Sequence, residues 1–171
     1  SDHFRSMVLA LQRLGKLGYK RPGLMLTESH DSRLLYRWEA AFRSFHQHHD
    51  GFQFIEPLIA PEFSEDTFRT WFARSTPDVV LCHTFRALEW MESVGARVPE
   101  THGFCCLNVT MSEKPVAGLN LQPKLLGGRA MELIIAQLHR NEYGIPETAS
   151  TTTIPAAWTY GPTLRVVSGK G

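Results

Sequence analysis

Cysteine and histidine are the residue types whose spacing could support chemistry in this 171-residue sequence. Cys82 directly precedes His83, and Cys105 and Cys106 are adjacent in a second apolar run, GFCCLNVT. Such side chains are the usual protein ligands of zinc and the usual members of a thiol–imidazole nucleophile pair. They raise two hypotheses, a metal site and a thiol active site.

The spacing disfavours a metal site. Successive residues of a β-strand point to opposite faces of the sheet, so Cys105 and Cys106 would not both reach one metal ion. The sequence contains no Cys-x-x-Cys pair. The histidines of HQHH (46–49) lie at the end of a predicted helix and point to different sides, so we expect them to be solvated. We therefore expect no metal site, and we interpret the three cysteines as small buried hydrophobic residues.

An enzyme is also disfavoured. A reactive cysteine needs an exposed thiolate of low pKa, and these cysteines lie in apolar runs. The sequence lacks Gly-x-Ser-x-Gly, the phosphate-binding G-x-x-x-x-G-K-[ST] and the dinucleotide G-x-G-x-x-G. One weak acid–base pair is conceivable, His83 with Glu28 or Glu62. We expect no catalytic residues and no cofactor.

The overall charge gives no sign of a nucleic-acid or membrane surface. The chain has 18 Lys and Arg against 17 Asp and Glu, a net charge of +1. No apolar run reaches the roughly 18 residues of a membrane-spanning helix. Three cysteines are an odd, low number that is typical of a reducing compartment, so we expect a cytoplasmic protein.

The apolar pattern alternates between helical and strand periods along the whole chain. Helical spacing predicts three helices, over 4–17, over 32–46 and from Pro123 to His139. Phe4 is expected on the buried face of the first helix and Leu35 on that of the second. Ser64 and Thr84 are predicted to cap two further helices. Predicted strands are 21–26, 52–60, 78–82, 103–107, 116–121 and 150–158. This alternation predicts an α/β fold, a doubly wound and mostly parallel sheet with helices on both faces.

In such sheets ligands bind outside the carboxyl ends of the strands. The residues that follow the first four predicted strands are Thr27-Glu28-Ser29-His30, Pro61-Glu62-Phe63, His83-Thr84 and Asn108-Val109-Thr110. Hydrogen-bonding groups beside an aromatic ring suit a small polar ligand such as a sugar. The same residues could also be merely solvated loops.

Five segments, in order, resemble the LacI/GalR family of transcription regulators. They are DHFRSMVLALQRLGKLGYKRPGLML (2–26), RWEAAFRSF (37–45), PDVVLCHTFRALEWMESVGARVPETHGFCCLNVT (77–110), KPVAGLNLQPKLLGGRAMELIIAQLHRNEYGIPE (114–147) and TIPAAWTYGPTLR (153–165). The resemblance covers nearly the whole chain, although no single motif decides it.

The resemblance implies a periplasmic-binding-protein-like core of two lobes with a small-molecule effector between them. It implies that residues 2–118 form the second, C-terminal lobe and that 119–145 return to the first lobe. Apart from the resemblance, Gly127 and Gly128 lie inside a predicted helix, and we interpret them as a close-packing site rather than a phosphate loop. Residues 148–171 would be closing strands of the second lobe. The DNA-binding helix-turn-helix and most of the first lobe are expected to precede this chain. The implied partners are a sugar-like effector, a second copy in a homodimer, and operator DNA through the helix-turn-helix, with no membrane.

The family's effector contacts carry over one by one. The aromatic after the second strand corresponds to Phe63. His83 stands where the family has Asn, and Asn108 where it has Asp. By alignment, the family's Arg in the second helix corresponds to Trp38, so the nearby Arg37 and Arg33 are the candidates for that contact. The last contact, just before the returning helix, corresponds to Gln122 or Pro123.

Two further expectations follow from the resemblance. Trp90 and Met91 fall on a helix that contributes to the dimer interface in related proteins, although core packing would explain them equally well. The alternative function is a sugar- or solute-binding protein, or a small α/β enzyme, that uses the same crevice.

Overall fold

A computed structural model describes residues 1–167 and contains alternating helices and strands. The helices are α1 (His3–Leu17), α2 (Glu28–Ser32), α3 (Arg37–His48), α4 (Glu65–Ser75), α5 (Arg86–Ser93) and α6 (Pro123–His139), with a 3₁₀ turn at Val109–Met111. The strands are β1 (Pro22–Thr27), β2 (Leu58–Ala60), β3 (Val79–Cys82), β4 (Gly103–Cys106), β5 (Gly118–Asn120) and β6 (Ala157–Thr159).

The six strands form one sheet in the order β2-β1-β3-β4-β5-β6. The first five strands are parallel, and β6 pairs antiparallel with β5. Because β1 and β3 are neighbours although β2 lies between them in sequence, the chain winds to both sides of β1. The predicted doubly wound, mostly parallel α/β sheet is confirmed.

Two apolar layers cover the faces of the sheet. On one face α1 and α3 pack on Leu24, Leu26 and Leu81. On the other face α4 and α5 pack on Met25, Val80 and Phe104. Adjacent strand residues thus enter different layers, as the two-residue period of a strand requires. Each fully buried Leu or Phe contributes about 1.5–3 kcal/mol.

Local sequence signals set several helix ends. The Asp2 carboxylate accepts a hydrogen bond from the Arg5 amide at 3.0 Å, and Gly18 ends α1 in the left-handed region at φ 95°. Ser64 Oγ accepts from the Thr67 amide at 3.1 Å and caps α4, as predicted. Helix α5 begins one residue later than predicted, after Phe85, while Thr84 Oγ1 still accepts from the Arg86 amide at 3.4 Å.

The helix predicted over 32–46 begins only at Arg37, as α3, and the short helix α2 ends at Ser32, where the prediction began. The buried Asp31 carboxylate accepts hydrogen bonds from the amides of Trp38 and Glu39, at 3.2 and 3.4 Å, and so caps the start of α3. Leu35 and Tyr36 turn the chain with φ of 56° each, and Leu35 is 72% exposed rather than inside. The long-range role of Asp31 cannot be read from a helical period.

Three other expectations needed correction. The strand predicted over 52–60 is only Leu58–Ala60, because Pro57 has no amide proton to donate to a neighbouring strand. The strand predicted over 150–158 is reduced to Ala157–Thr159, two residues after Pro155. Phe4 is 41% exposed, because His3 takes the position beside Trp38 at the start of α1.

Gly118 is required where β5 meets β4. Its φ is +151°, and a Cβ atom there would lie 2.0 Å from the carbonyl oxygen of Cys106. The following segment is joined by Thr163, whose Oγ1 donates to the Phe104 carbonyl and accepts from the Ala117 amide. The last four residues of the predicted closing segment, 148–171, lie outside the described residues.

Helix α6 differs from the other long helices because none of its residues is buried. Apolar side chains are exposed around it: Leu125, Met131, Leu133, Ile134, Ile135 and Leu138. A Cβ atom added at Gly127 or Gly128 would meet no atom of the described residues within 4 Å, so the close packing expected at these glycines is not made within this part of the chain. No helix within residues 1–167 is long and apolar enough to cross a bilayer.

Candidate functional site

The carboxyl ends of β1 and β3 open into a cavity of about 550 Å³. Its walls come from the end of β1, the segment after β2, and the β3–α5 connection. Lining residues include Thr27, His30, Phe63, His83, Thr84, Phe85, Arg86, Glu89 and Met111. The parallel strands place these residues together because their carboxyl ends meet at one edge of the sheet. Phe63 and His83, both predicted effector contacts, lie in this cavity.

His83 is packed between aromatic rings at the inner end of the cavity. Its ring centroid is 4.0 Å from that of His30 and 5.6 Å from that of Trp38. Burial, followed by the positive charges of His30, His3 and Arg33, lowers the pKa of His83 from 6.5 to about 3. The imidazole is therefore neutral at physiological pH, with one nitrogen as donor and the other as acceptor.

His3 extends the cluster from the start of α1. Its ring centroid is 5.0 Å from that of Trp38, in an edge-to-face arrangement. Burial, followed by the positive charges of the amino group of Ser1, Arg37 and His30, lowers the pKa of His3 to about 4. His30 was among the residues considered after the first strand, but no sequence signal places His3, 80 residues before His83, beside the same indole ring.

The two candidate arginines lie at the edge of this cluster. Arg33 Nη2 is 3.1 Å from His30 Nδ1. Arg37 is the first residue of α3 and is exposed, and its side chain has no hydrogen bond or ion pair within the described residues. Trp38, which the alignment placed at the family's Arg position, is fully buried. Arg33 therefore contacts His30, which lines the cavity, whereas Arg37 acts on His3, which does not line it.

Asn108 and Gln122 are not among the residues that line the Phe63–His83 cavity. Asn108 Oδ1 accepts hydrogen bonds from the hydroxyl of Thr110, at 2.6 Å, and from the amide nitrogen of Thr110, at 3.3 Å. It thereby caps the 3₁₀ turn. Gln122 lines a separate cavity of about 490 Å³ with Thr110 and Lys124. Its Nε2 donates to the Pro155 carbonyl at 2.9 Å. A role of Asn108 and Gln122 in effector binding stays a prediction.

Trp90 and Met91 differ in exposure. Met91 is fully buried within the layer on the α4–α5 face. Trp90 is partly exposed and packs against Phe68, with ring centroids 5.7 Å apart. Core packing therefore accounts for Met91, while a contact of Trp90 with a second copy stays a prediction.

The cysteines are buried and their pKa values are raised by burial, that of Cys82 to about 12. Cys105 lies in the α1–α3 layer and Cys106 in the α4–α5 layer, so the two thiols point to opposite faces of the sheet as predicted. Thiols of this kind are poor nucleophiles. No group of three or more His, Cys, Asp or Glu side chains within residues 1–167 has a geometry that could hold a metal ion.

One histidine of HQHH is not solvated as expected. His46 is partly buried against Phe42 and Phe45, its Nδ1 is 2.8 Å from the Phe42 carbonyl oxygen, and burial lowers its pKa. His48 and His49 are exposed, and His49 stacks on Phe45. The acid–base pair conceived for an enzyme is not formed either: within the described chain, no hydrogen bond or ion pair joins His83 to Glu28 or Glu62.

Comparison with known proteins identifies the architecture. No family model matches the chain, and no curated protein matches it. Solved structures do: a LacI family transcriptional regulator from Enterococcus faecium with bound ribose matches 98% of this chain at 18% identity with a TM-score of 0.63. The chain has the fold of LacI-family regulators.

Two other LacI-type structures agree. A LacI family regulator from Arthrobacter sp. FB24 in complex with lactose matches 95% of the chain with a TM-score of 0.70 at 15% identity. The dimeric Lac repressor matches 97% with a TM-score of 0.69 at 15% identity. The chain spans 65, 64 and 63% of these three structures, so it is comparable to a part of each.

Proposed function

We propose that this chain is the larger part of the effector-binding core of a LacI-type transcription regulator and that it senses a small polar, sugar-like effector. The observation that carries the proposal is the meeting of Phe63 and His83 in one cavity at the carboxyl ends of parallel strands. An aromatic ring can cover the C–H face of a sugar, and imidazole can exchange hydrogen bonds with its hydroxyls. Two matching LacI regulators have bound ribose and lactose.

The proposed division of the chain follows the packing of its elements. Residues 2–118 form the second lobe, 119–145 return to the first lobe, and 148–171 close the second lobe. Helix α6 supports this division because it is apolar and has no buried residue within the described chain. A helix of 17 residues that contains two glycines is marginal on its own, so it requires a packing partner.

The proposed mechanism is a shift between two lobe arrangements. Effector contacts made from both lobes would differ between the open and closed states, and the effector would favour the state in which it has more contacts. That shift would reorient DNA-binding heads on a homodimer and so change operator affinity. The protein is then a cytoplasmic regulator and has no catalytic activity of its own.

The decisive experiment uses the complete natural protein. A thermal-shift screen of sugars, sugar acids and nucleobases identifies the effector, and calorimetry gives its affinity. An operator-retardation assay with and without that effector then separates a regulator from a sugar-binding protein. A saturable effector that leaves DNA binding unchanged would reject the regulator and favour the binding protein. Unaltered effector affinity in His83→Ala would reject the proposed cavity.

A further inference from the structure

His30 and His83, which line the cavity, belong to a cluster of four aromatic rings that extends behind it to Trp38 and His3. It contains the rings of His3, His30, Trp38 and His83, with successive ring centroids 5.0, 5.6 and 4.0 Å apart in the order His3–Trp38–His83–His30. We refer to these four side chains as the imidazole–indole cluster. Helices α1, α2 and α3 and the β3–α5 connection each supply one ring.

One donor of the cluster, on a residue that does not line the cavity, has no acceptor in the part of the chain that the structure describes. Trp38 Nε1 is buried and has no hydrogen-bond partner within the described residues. A buried indole N–H normally finds an acceptor. The buried Asp31 carboxylate is not its acceptor, because it accepts from the backbone amides of Trp38 and Glu39.

The contact with Arg33 determines which ring nitrogen of His30 carries the proton. Guanidinium is always protonated and can only donate, so His30 Nδ1 must accept at the 3.1 Å contact. The proton of the neutral ring is then on Nε2, which leaves a second donor in the cluster. Two arginines contribute positive charge here. The charge of Arg33 helps to lower the pKa of His30 and His83, and the charge of Arg37 helps to lower the pKa of His3.

Among the acidic groups near the cluster, Asp31 acts on His30, whose pKa its charge raises, and its carboxylate faces the amides at the start of α3. The other acidic groups are paired or lie elsewhere. Glu89 lines the cavity together with Arg86 on the first turn of α5, so these two charges offset each other. Glu28 lines a different cavity with Glu39 and Arg43. The Asp2 carboxylate raises the pKa of His3, but it is engaged with the Arg5 amide and Thr153.

Resting on the proposed function, we infer that the effector carries a negatively charged group, a carboxylate or a phosphate, that binds at the imidazole–indole cluster beside Arg33. Arg33 and His30 Nε2 can only donate and His83 supplies a single acceptor, so this end of the cavity, which carries the permanent charge of Arg33, matches an anion better than the hydroxyls of a neutral sugar. Phe63 lies in the same cavity and can cover the carbon skeleton. The effector class is therefore a sugar acid or a sugar phosphate.

Matched pairs of ligands test this inference on the complete natural protein. Calorimetry compares galacturonate with galactose, glucuronate with glucose, and ribose 5-phosphate with ribose. In at least one pair the anionic member is expected to bind about tenfold or more tightly than the neutral one, and to lose affinity at high salt. The carboxylate and phosphate pairs separate the two possible charged groups.

Variants identify the charge that is responsible. Arg33→Gln is expected to weaken anion binding about tenfold and to leave neutral-sugar binding unchanged. Arg74→Gln, on the exposed last turn of α4, is the matched control and is expected to change neither. His83→Asn keeps a hydrogen-bonding side chain and tests the cluster in case Arg33→Gln alters folding, which circular dichroism would reveal.

The outcomes separate the inference from the proposed function. A neutral sugar that binds as tightly as its acid or phosphate, with operator binding still effector-dependent, overturns the inference and leaves the regulator proposal intact. An anion whose affinity is the same in Arg33→Gln and His83→Asn also overturns it. Absence of binding by every member of the panel counts against both.

Discussion

The imidazole rings of His30 and His83 lie with their centroids 4.0 Å apart, although 53 residues separate them in sequence. The parallel pairing of β1 with β3 causes this contact, because each histidine follows one of the two neighbouring strands. Two imidazolium ions at this separation would repel each other, so the arrangement requires neutral rings. Protonation therefore opposes the native structure of the cavity.

The free energy of unfolding is expected to fall as the pH decreases below about 6.5. The pKa of His83 is lowered from 6.5 to about 3 in the folded chain, chiefly by burial. Between these values the unfolded state binds more protons, so stability that is fully present above pH 6.5 is lost as the pH falls. Each pH unit costs up to about 1.4 kcal/mol for one such histidine. Urea unfolding at several pH values measures the slope.

The variant His83→Asn isolates this contribution. It is expected to reduce the slope of stability against pH without abolishing it, because the pKa of His3 is also lowered, to about 4. His48→Asn is the control, since His48 is exposed at the end of α3. Equal slopes in His83→Asn and the unaltered protein would contradict a buried neutral imidazole.

Phe63→Ala is expected to weaken effector binding by about 1–2 kcal/mol through loss of apolar contact area. Phe63 is only partly buried, so the free energy of unfolding should change by less than about 1 kcal/mol. Calorimetry with the identified effector and urea unfolding measure the two effects. Phe54→Ala is a matched control, since Phe54 is 49% exposed and lies outside the cavity. Equal affinities of the two variants would remove Phe63 from the site.

Thr163→Val is expected to destabilise the folded chain by roughly 1–3 kcal/mol, because it leaves two buried backbone groups without partners. Thr163 Oγ1 donates to the Phe104 carbonyl at 2.8 Å and accepts from the Ala117 amide at 3.0 Å. Chemical unfolding gives the loss. Thr70→Val is the comparison. The Thr70 hydroxyl donates only to an exposed carbonyl of its own helix, so its loss should lower the free energy of unfolding much less. Similar costs at both sites would show that the bridge made by Thr163 is unimportant.

The isolated chain is expected to self-associate through α6, because exposed apolar surface is driven together in water. Ile135→Lys should reduce association, as measured by sedimentation velocity. Leu35→Lys is the control, since Leu35 is more exposed but lies far from α6 in the sequence, in the turn before α3. If α6 packs on a first lobe, as the proposed division of the chain implies, Ile135→Lys in the complete natural protein should instead lower stability, because a lysine would be buried there. A monodisperse monomer of the unaltered chain would contradict this prediction.

Much of the fold follows from local sequence signals. Apolar runs separated by amphipathic periods predict the parallel sheet, and Ser64 predicts the start of α4. The two-residue period of a strand correctly sends Cys105 and Cys106 into different layers. Phe63 and His83 could be predicted to meet because parallel strands end at one edge of the sheet. Asn108 is expected at this edge because it follows the fourth strand, and Gln122 by family resemblance. Neither lines the Phe63–His83 cavity, and their side chains bond to Thr110 and Pro155, so their role in effector binding stays a prediction.

The order of the elements, and the edge of the sheet at which polar residues collect, can be read from the sequence because periods and caps act over a few residues. The capping of α3 by Asp31, and the meeting of His3 and His83 at Trp38, come from tertiary packing. These contacts depend on how α1, α2 and α3 pack against one sheet, and such packing brings together residues that no local pattern relates. The charge at the inner end of the cavity is a product of that packing.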